Sequence, residues 1–185
     1  MNIRNPKQLQ ASDEFNQIII AKLATDQGVH AETAIAAVSR MAGTFVLRAT
    51  GLPIATLKPG TPVFSDVIND QGQKVLATVD QALASLGVPV DSRRVNFDLS
   101  DEHNSHLKLM ETQAMFDPLF RAIVTKYGLT DAEAAHCAAF ATADLIQKCA
   151  QVLNPYIAYA VAAYAMIEGC KTVPYDADRA PVAAH

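Results

Sequence analysis

The chain has 185 residues, half of them hydrophobic, with 32 alanines against 15 valines, 15 leucines and 11 isoleucines, no tryptophan and a net charge of −4. That length suits one domain, and the composition excludes disorder, a collagen-like repeat and a coiled-coil rod, while the excess of alanine over β-branched residues argues against a sandwich or barrel. The basic residues are scattered, with Arg93 and Arg94 the one adjacent pair, so there is no stripe to displace counterions from phosphates and no nucleic-acid partner is expected.

In chain order, Ser12 caps a predicted first helix from Asp13 to about Gln27, stopped by Gly28. A second follows from His30 to Ala49. The stretch Leu52–Phe64 is irregular, and its Lys58-Pro59-Gly60-Thr61 reads as a type II turn. Ser65 caps a third helix, Asp66–Leu86, with Gly72 on its inward face. A glycine there costs about 1 kcal/mol against alanine unless a close helix contact requires it. Beyond a second irregular stretch, a fourth helix is expected from Ser100 or Asp101 to Phe116. At Asp117-Pro118 it either kinks or gives way to a fifth, because proline disfavours helical geometry at the residue before it. Thr130 and Glu133 form a capping box for a sixth helix, Asp131 to about Val152. Asn154-Pro155 opens a seventh, to about Glu168, and Thr172–His185 reads as a loose tail. The expectation is an all-α, single-domain bundle of about seven helices over residues 1–185.

The three cysteines, Cys137, Cys149 and Cys170, are widely spaced with no CxxC pair, so neither a disulfide framework nor a cysteine-based zinc site is expected. The first residues carry no apolar signal-like run, and together these features point to the cytoplasm. Cys149–Ile167 is uncharged, but its strictly apolar part, Tyr156–Ile167, is 12 residues. A bilayer span takes about 20, so no membrane partner is expected.

The helix faces suggest assembly. On the seventh helix Ala158, Ala162, Ala165 and Gly169 make a stripe of small residues on a helix with almost no polar face. Such a helix must be surrounded, by its own domain or by a second copy of the chain. The second helix is also weakly polar on its outer side, with Arg40 set in the middle. On the sixth, Phe140 interrupts a polar stripe between His136 and Asp144, as an interface anchor would.

Chemistry is sparse. The densest cluster is Asp98, Asp101, Glu102, His103 and His106. On a helix, Glu102, His103 and His106 would share a face and could ligate a divalent metal such as Zn, Fe or Mn. Against this, acidic residues in a first turn are explained by the helix dipole alone. Glu133-x-x-His136 matches one element of a di-iron carboxylate bundle, but the second element is missing and this one lies on the polar side. Asp66 and Asp70, beyond a loop holding Lys58, are a further place for an anion or Mg²⁺, though a cap and dipole role explains them more simply. Arg40, if buried, requires a carboxylate or a bound anion. The leading expectation is a non-catalytic, homo-oligomeric helical protein assembled through Phe140, Ala158, Ala162 and Ala165. The alternatives are a metal-dependent enzyme at Glu102, His103 and His106, with Asp66 or Asp70 as further ligands, and a small-ligand binding module in which the tyrosines of the seventh helix, Tyr156, Tyr159 and Tyr164, line a cavity; Arg40 and Lys58 are the candidate ligand- or anion-binding residues.

Overall fold

Asn5, not Ser12, starts the first helix. Its side chain accepts from the Lys7 N–H at 3.0 Å and Pro6 occupies the first helical position, where a missing N–H costs nothing. Ser12 instead sits buried in the middle of that helix and donates to the carbonyls of Gln8 and Cys137. The computed structural model describes residues 5–175. Over them the chain forms six helices: α1 Pro6–Leu23, α2 Ala31–Ala49, α3 Asp66–Ser85, α4 Leu109–Tyr127, α5 Asp131–Cys149 and α6 Pro155–Cys170. No β-strand occurs among the described residues.

The count is six, not seven, because two expected helices are one. Pro118 lies inside α4, which runs unbroken across it. The ring faces solvent, so the backbone carbonyl that loses its partner one turn earlier can bond to water. The inward side of the same turn is tied down: Asp117 is buried and accepts two bonds from the Arg48 guanidinium, at 2.6 and 2.8 Å. The start of α4 also differs. Asp101–His103 is a single 3-10 turn, and the helix begins only at Leu109, where the Glu111 side chain bonds back to the Lys108 N–H at 2.8 Å.

The surrounded helix is α2. Its residues are buried without interruption from Glu32 to Leu47, and it packs against all five other helices. This explains the weak polarity of its outer face. Its closest partner is α6, and the two backbones meet at Gly43 and Gly169. Ala158, Ala162 and Ala165, expected as an interface for a second copy, are buried inside the chain, at 2% exposure or less. Short side chains there let α2 approach, as the stripe required, but the approaching helix is the protein's own. Gly169 does not end α6, which continues to Cys170. Gly72 serves no such contact: a Cβ there would meet only the Cys170 sulfur at 3.6 Å, an ordinary van der Waals distance.

Phe15 of α1 stacks on Phe120 of α4 at 4.1 Å between ring centres, with Phe45 and Phe116 beside them. These rings supply the large apolar burial that alanine cannot. On α5, the side expected to be polar is covered too. Asp144 takes a bond from Asn16 of α1 at 2.8 Å, His136 bonds Thr78 of α3 at 2.8 Å, and Phe140 between them is half-buried against the core rather than held out as an anchor.

The Lys58–Thr61 turn forms as expected, with Gly60 at φ +84° and the Thr61 N–H bonding the Lys58 carbonyl. Residues 172–175 do not dangle. The Gly60 N–H donates to the Val173 carbonyl, the Val173 N–H donates to the Thr61 carbonyl, and Val173 is fully buried. The remainder of the expected loose tail, 176–185, lies outside the described residues. Among the described residues no helix is long and apolar enough to cross a membrane.

Candidate ligand-binding site

The irregular chain between α3 and α4 crosses the outer side of α2 and α6 as a strap, fastened at several points. Tyr164 of α6 donates its hydroxyl to the Phe97 carbonyl at 2.8 Å, and the two rings meet edge to face. His103 Nδ1 lies 3.0 Å from the Glu32 carboxylate, and the His106 N–H donates to Thr33 at 2.9 Å. The His106 ring stacks on His30, the residue that caps α2. Between strap and helices is a cavity of about 360 Å³, at the small end of the roughly 300–1,000 Å³ typical of ligand sites. Arg40, Asp98, His103, Ser105, Tyr164 and Glu168 line it with apolar Phe97, Leu99, Val161 and Ala165.

Arg40 is the deepest charge in it, with its side chain 9% exposed. Its Nε donates to Glu168 at 2.8 Å, and its Nη1 faces the Leu107 carbonyl at 2.5 Å, Thr112 at 3.2 Å and Ser105 at 3.3 Å. Thus the carboxylate partner expected for a buried Arg40 exists, and it is Glu168, the single charged residue of α6. A guanidinium has five N–H donors. The two on Nη2 have no hydrogen-bond partner among the described residues, and that nitrogen is not sealed from solvent. Glu168 is half exposed and uses one oxygen on Arg40. The Asp98 carboxylate is exposed and has no hydrogen-bond or ion partner among the described residues.

Glu32 joins two imidazoles. One oxygen meets His103 Nδ1 at 3.0 Å and the other lies 3.4 Å from His30 Nε2. Burial acts to raise the Glu32 carboxyl, but the His103 hydrogen bond, a backbone N–H and the nearby imidazoles outweigh it and hold the group below the usual carboxylate range. A carboxylate on one ring nitrogen orients the imidazole. Ser105 does not complete a nucleophilic pair, because its hydroxyl donates to the Leu107 carbonyl while accepting from Arg40.

The expected metal face of Glu102, His103 and His106 depends on a helix that begins only at Leu109, beyond all three. Glu102 comes within 3.7 Å of His103 Nε2 from an exposed position, while His106 turns to His30. Among the described residues no three His, Cys, Asp or Glu side chains are placed to share a metal ion. Lys58 is exposed in its turn and does not line the Arg40 cavity. Asp66 and Asp70 are exposed on α3, with Ser65 as the cap. All three cysteines are free thiols. Burial pushes Cys137 and Cys170 up to about 12, too high for useful thiolate chemistry.

Arg40, His103 and Asp98 stood out in the sequence, and the structure brings them to one cavity. Tyr164, one of the tyrosines of the apolar helix expected to line a cavity, lines this one; Glu32, Glu168 and Phe97 did not stand out. A signal existed for Glu168, a lone charge on an otherwise apolar helix facing a helix with a lone buried arginine. Nothing local marked Glu32, whose role depends on where the strap crosses. Comparison of the chain with protein-family models, with curated proteins and with solved structures gives no match.

Proposed function

We propose that the protein is a small-ligand binding module whose site is the cavity beneath the 97–107 strap, with an anionic group of the ligand held by Arg40. One observation carries this reading. A guanidinium with 9% side-chain exposure leaves its Nη2 donors unpaired at the wall of a cavity. Those donors are open to solvent, and a bound carboxylate or phosphate would replace water there with short, charge-assisted bonds to an otherwise buried guanidinium. The rest of the guanidinium is fixed by Glu168, Leu107, Thr112 and Ser105, so little side-chain freedom remains to be lost on binding.

The test is a solution NMR titration of the protein with inorganic phosphate and with small carboxylates, both plain and bearing an amino group. The expected result is saturable shifts at the Arg40 side-chain resonances and in the strap amides, abolished in Arg40→Lys, which keeps the charge but lacks the fork. Shifts confined to other surfaces, or the same affinity in Arg40→Lys, would refute the reading.

A second reading, acid–base chemistry on the bound ligand, has one feature in its favour: His103 is oriented by Glu32 at the same cavity. The assembly reading has lost its small-residue stripe, which is used within the chain.

A further inference from the structure

We infer that the ligand of this cavity is a small zwitterion, an amine and an anionic group joined by a short apolar body. This deepens the reading above and rests on it. Among the described residues, Arg40 is the only lysine or arginine lining the cavity, against the two carboxylates Asp98 and Glu168. Arg40, Asp98 and Glu168 thus set one positive against two negative charges in the lining. A simple anion that reaches Arg40 Nη2 also meets the half-exposed Glu168 carboxylate, which already neutralises the guanidinium from its Nε side. Bare anions are thus disfavoured by the same group that holds Arg40 in place.

A ligand bearing its own positive charge reverses that balance. The Asp98 carboxylate and the second oxygen of Glu168 have no partner among the described residues, so both are open to an ammonium. The edge-to-face pair of Phe97 and Tyr164 lies in the same wall. Such rings pack an apolar linker and also favour a nearby cation. A volume of about 360 Å³ suits a ligand of metabolite size and not a polymer. Opposite charges on one small body, matched by opposite charges on the wall, give selectivity as well as attraction.

The experiment compares matched probes by calorimetry at pH 7 and low salt, using the whole chain. The zwitterions β-alanine and 4-aminobutyrate are set against the anions propionate, butyrate and inorganic phosphate, and against the cations propylamine and butylamine. The inference requires at least one zwitterion to bind about tenfold or more tighter than its matched anion and its matched cation. It also requires that preference to fall to within about threefold in Asp98→Asn or Glu168→Gln, both at exposed or half-exposed positions. Anions binding as tightly as zwitterions, with the Arg40→Lys loss intact, would overturn the zwitterion while leaving the binding module standing. Cations binding as tightly as zwitterions would overturn it as well. If no probe binds, the zwitterion and the module fall together.

Discussion

Gly43 and Gly169 lie face to face where α2 crosses α6, each against the other helix's backbone. A Cβ on Gly43 would overlap the Met166 carbonyl oxygen and stand 2.7 Å from the Cys170 nitrogen. A Cβ on Gly169 would overlap the Arg40 carbonyl oxygen and stand 3.0 Å from the Thr44 nitrogen. Backbone cannot move aside as a side chain can, so the helices must separate to admit a methyl group. Overpacking of this kind costs about 1–3 kcal/mol or more, against a gain of at most about 1 kcal/mol in helix propensity. Gly43→Ala and Gly169→Ala should therefore each lower the melting temperature by several degrees, at roughly 2–4 °C per kcal/mol for a chain of this size. Gly72→Ala is the contrast. With only the Cys170 sulfur at 3.6 Å, it should be neutral or stabilising. Melting curves showing all three alike would contradict this account of the crossing.

The Arg48–Asp117 pair gives a second prediction. Asp117 is 2% exposed and holds the guanidinium with both oxygens. Removing one partner of a buried pair costs about 3–5 kcal/mol, and less here to the extent that the partly exposed Arg48 keeps its other contacts. Asp117→Ala should show a loss of that order in urea unfolding. Asp117→Leu combined with Arg48→Met should recover part of it, because an apolar pair leaves no stranded charge. A loss below about 1 kcal/mol in Asp117→Ala would mean that Arg48 relaxes to solvent at little cost.

The helices were legible where local chemistry decides them. Ser65, Thr130 with Glu133, and Asn154-Pro155 cap the helices they were expected to cap. The errors fell where tertiary contacts decide. Ser12 has cap chemistry but is buried against the Cys137 carbonyl. Asp101 and Glu102 look like a first helical turn, yet the strap is held extended beyond them by Glu32 and Thr33 of α2, so the helix waits until Leu109. The small-residue stripe was seen correctly as a close-packing surface, but periodicity does not say which helix approaches. That needed Gly43, a glycine with no turn to explain it. The cavity was half legible for the same reason. Arg40 called for a carboxylate, but only the α2–α6 crossing selects Glu168.

Thr172–Tyr175 should behave as part of the folded unit. Val173 is fully buried and exchanges two backbone hydrogen bonds with Gly60 and Thr61, while the Tyr175 N–H donates to the buried Gln113 side chain at 3.0 Å. Burying a valine contributes about 1.5–3 kcal/mol, and each hydrogen bond about 0.5–1.5 kcal/mol net. A chain ending at Lys171 should lose at least about 2 kcal/mol, measured as a lower urea midpoint with little change in slope. An unchanged midpoint would show that these residues add nothing to the fold.

His136 links stability to pH. Its ring contacts Thr78 at 2.8 Å, and burial holds its pKa below the ordinary histidine value of 6.5. The folded state therefore resists a proton that the unfolded chain accepts. As pH falls through 6.5 the unfolded state binds protons first, so the contribution of His136 is fully present above that value. It is lost progressively as pH drops toward the lowered folded value. Glu133, one turn before it, is held below the usual carboxylate range by the backbone and side-chain bonds to Thr130. By the same sign, its contribution is present above the ordinary carboxylate value and disappears only in stronger acid. Two separate declines should follow, one beginning near pH 6.5 and one in the carboxylate range. His136→Gln, able to bond Thr78 but not to titrate near neutrality, should flatten the first decline and leave the second. Urea midpoints measured from pH 8 down to about pH 2 read both. If the substituted and original proteins lose stability in parallel between pH 7 and 5, the decline belongs to another group.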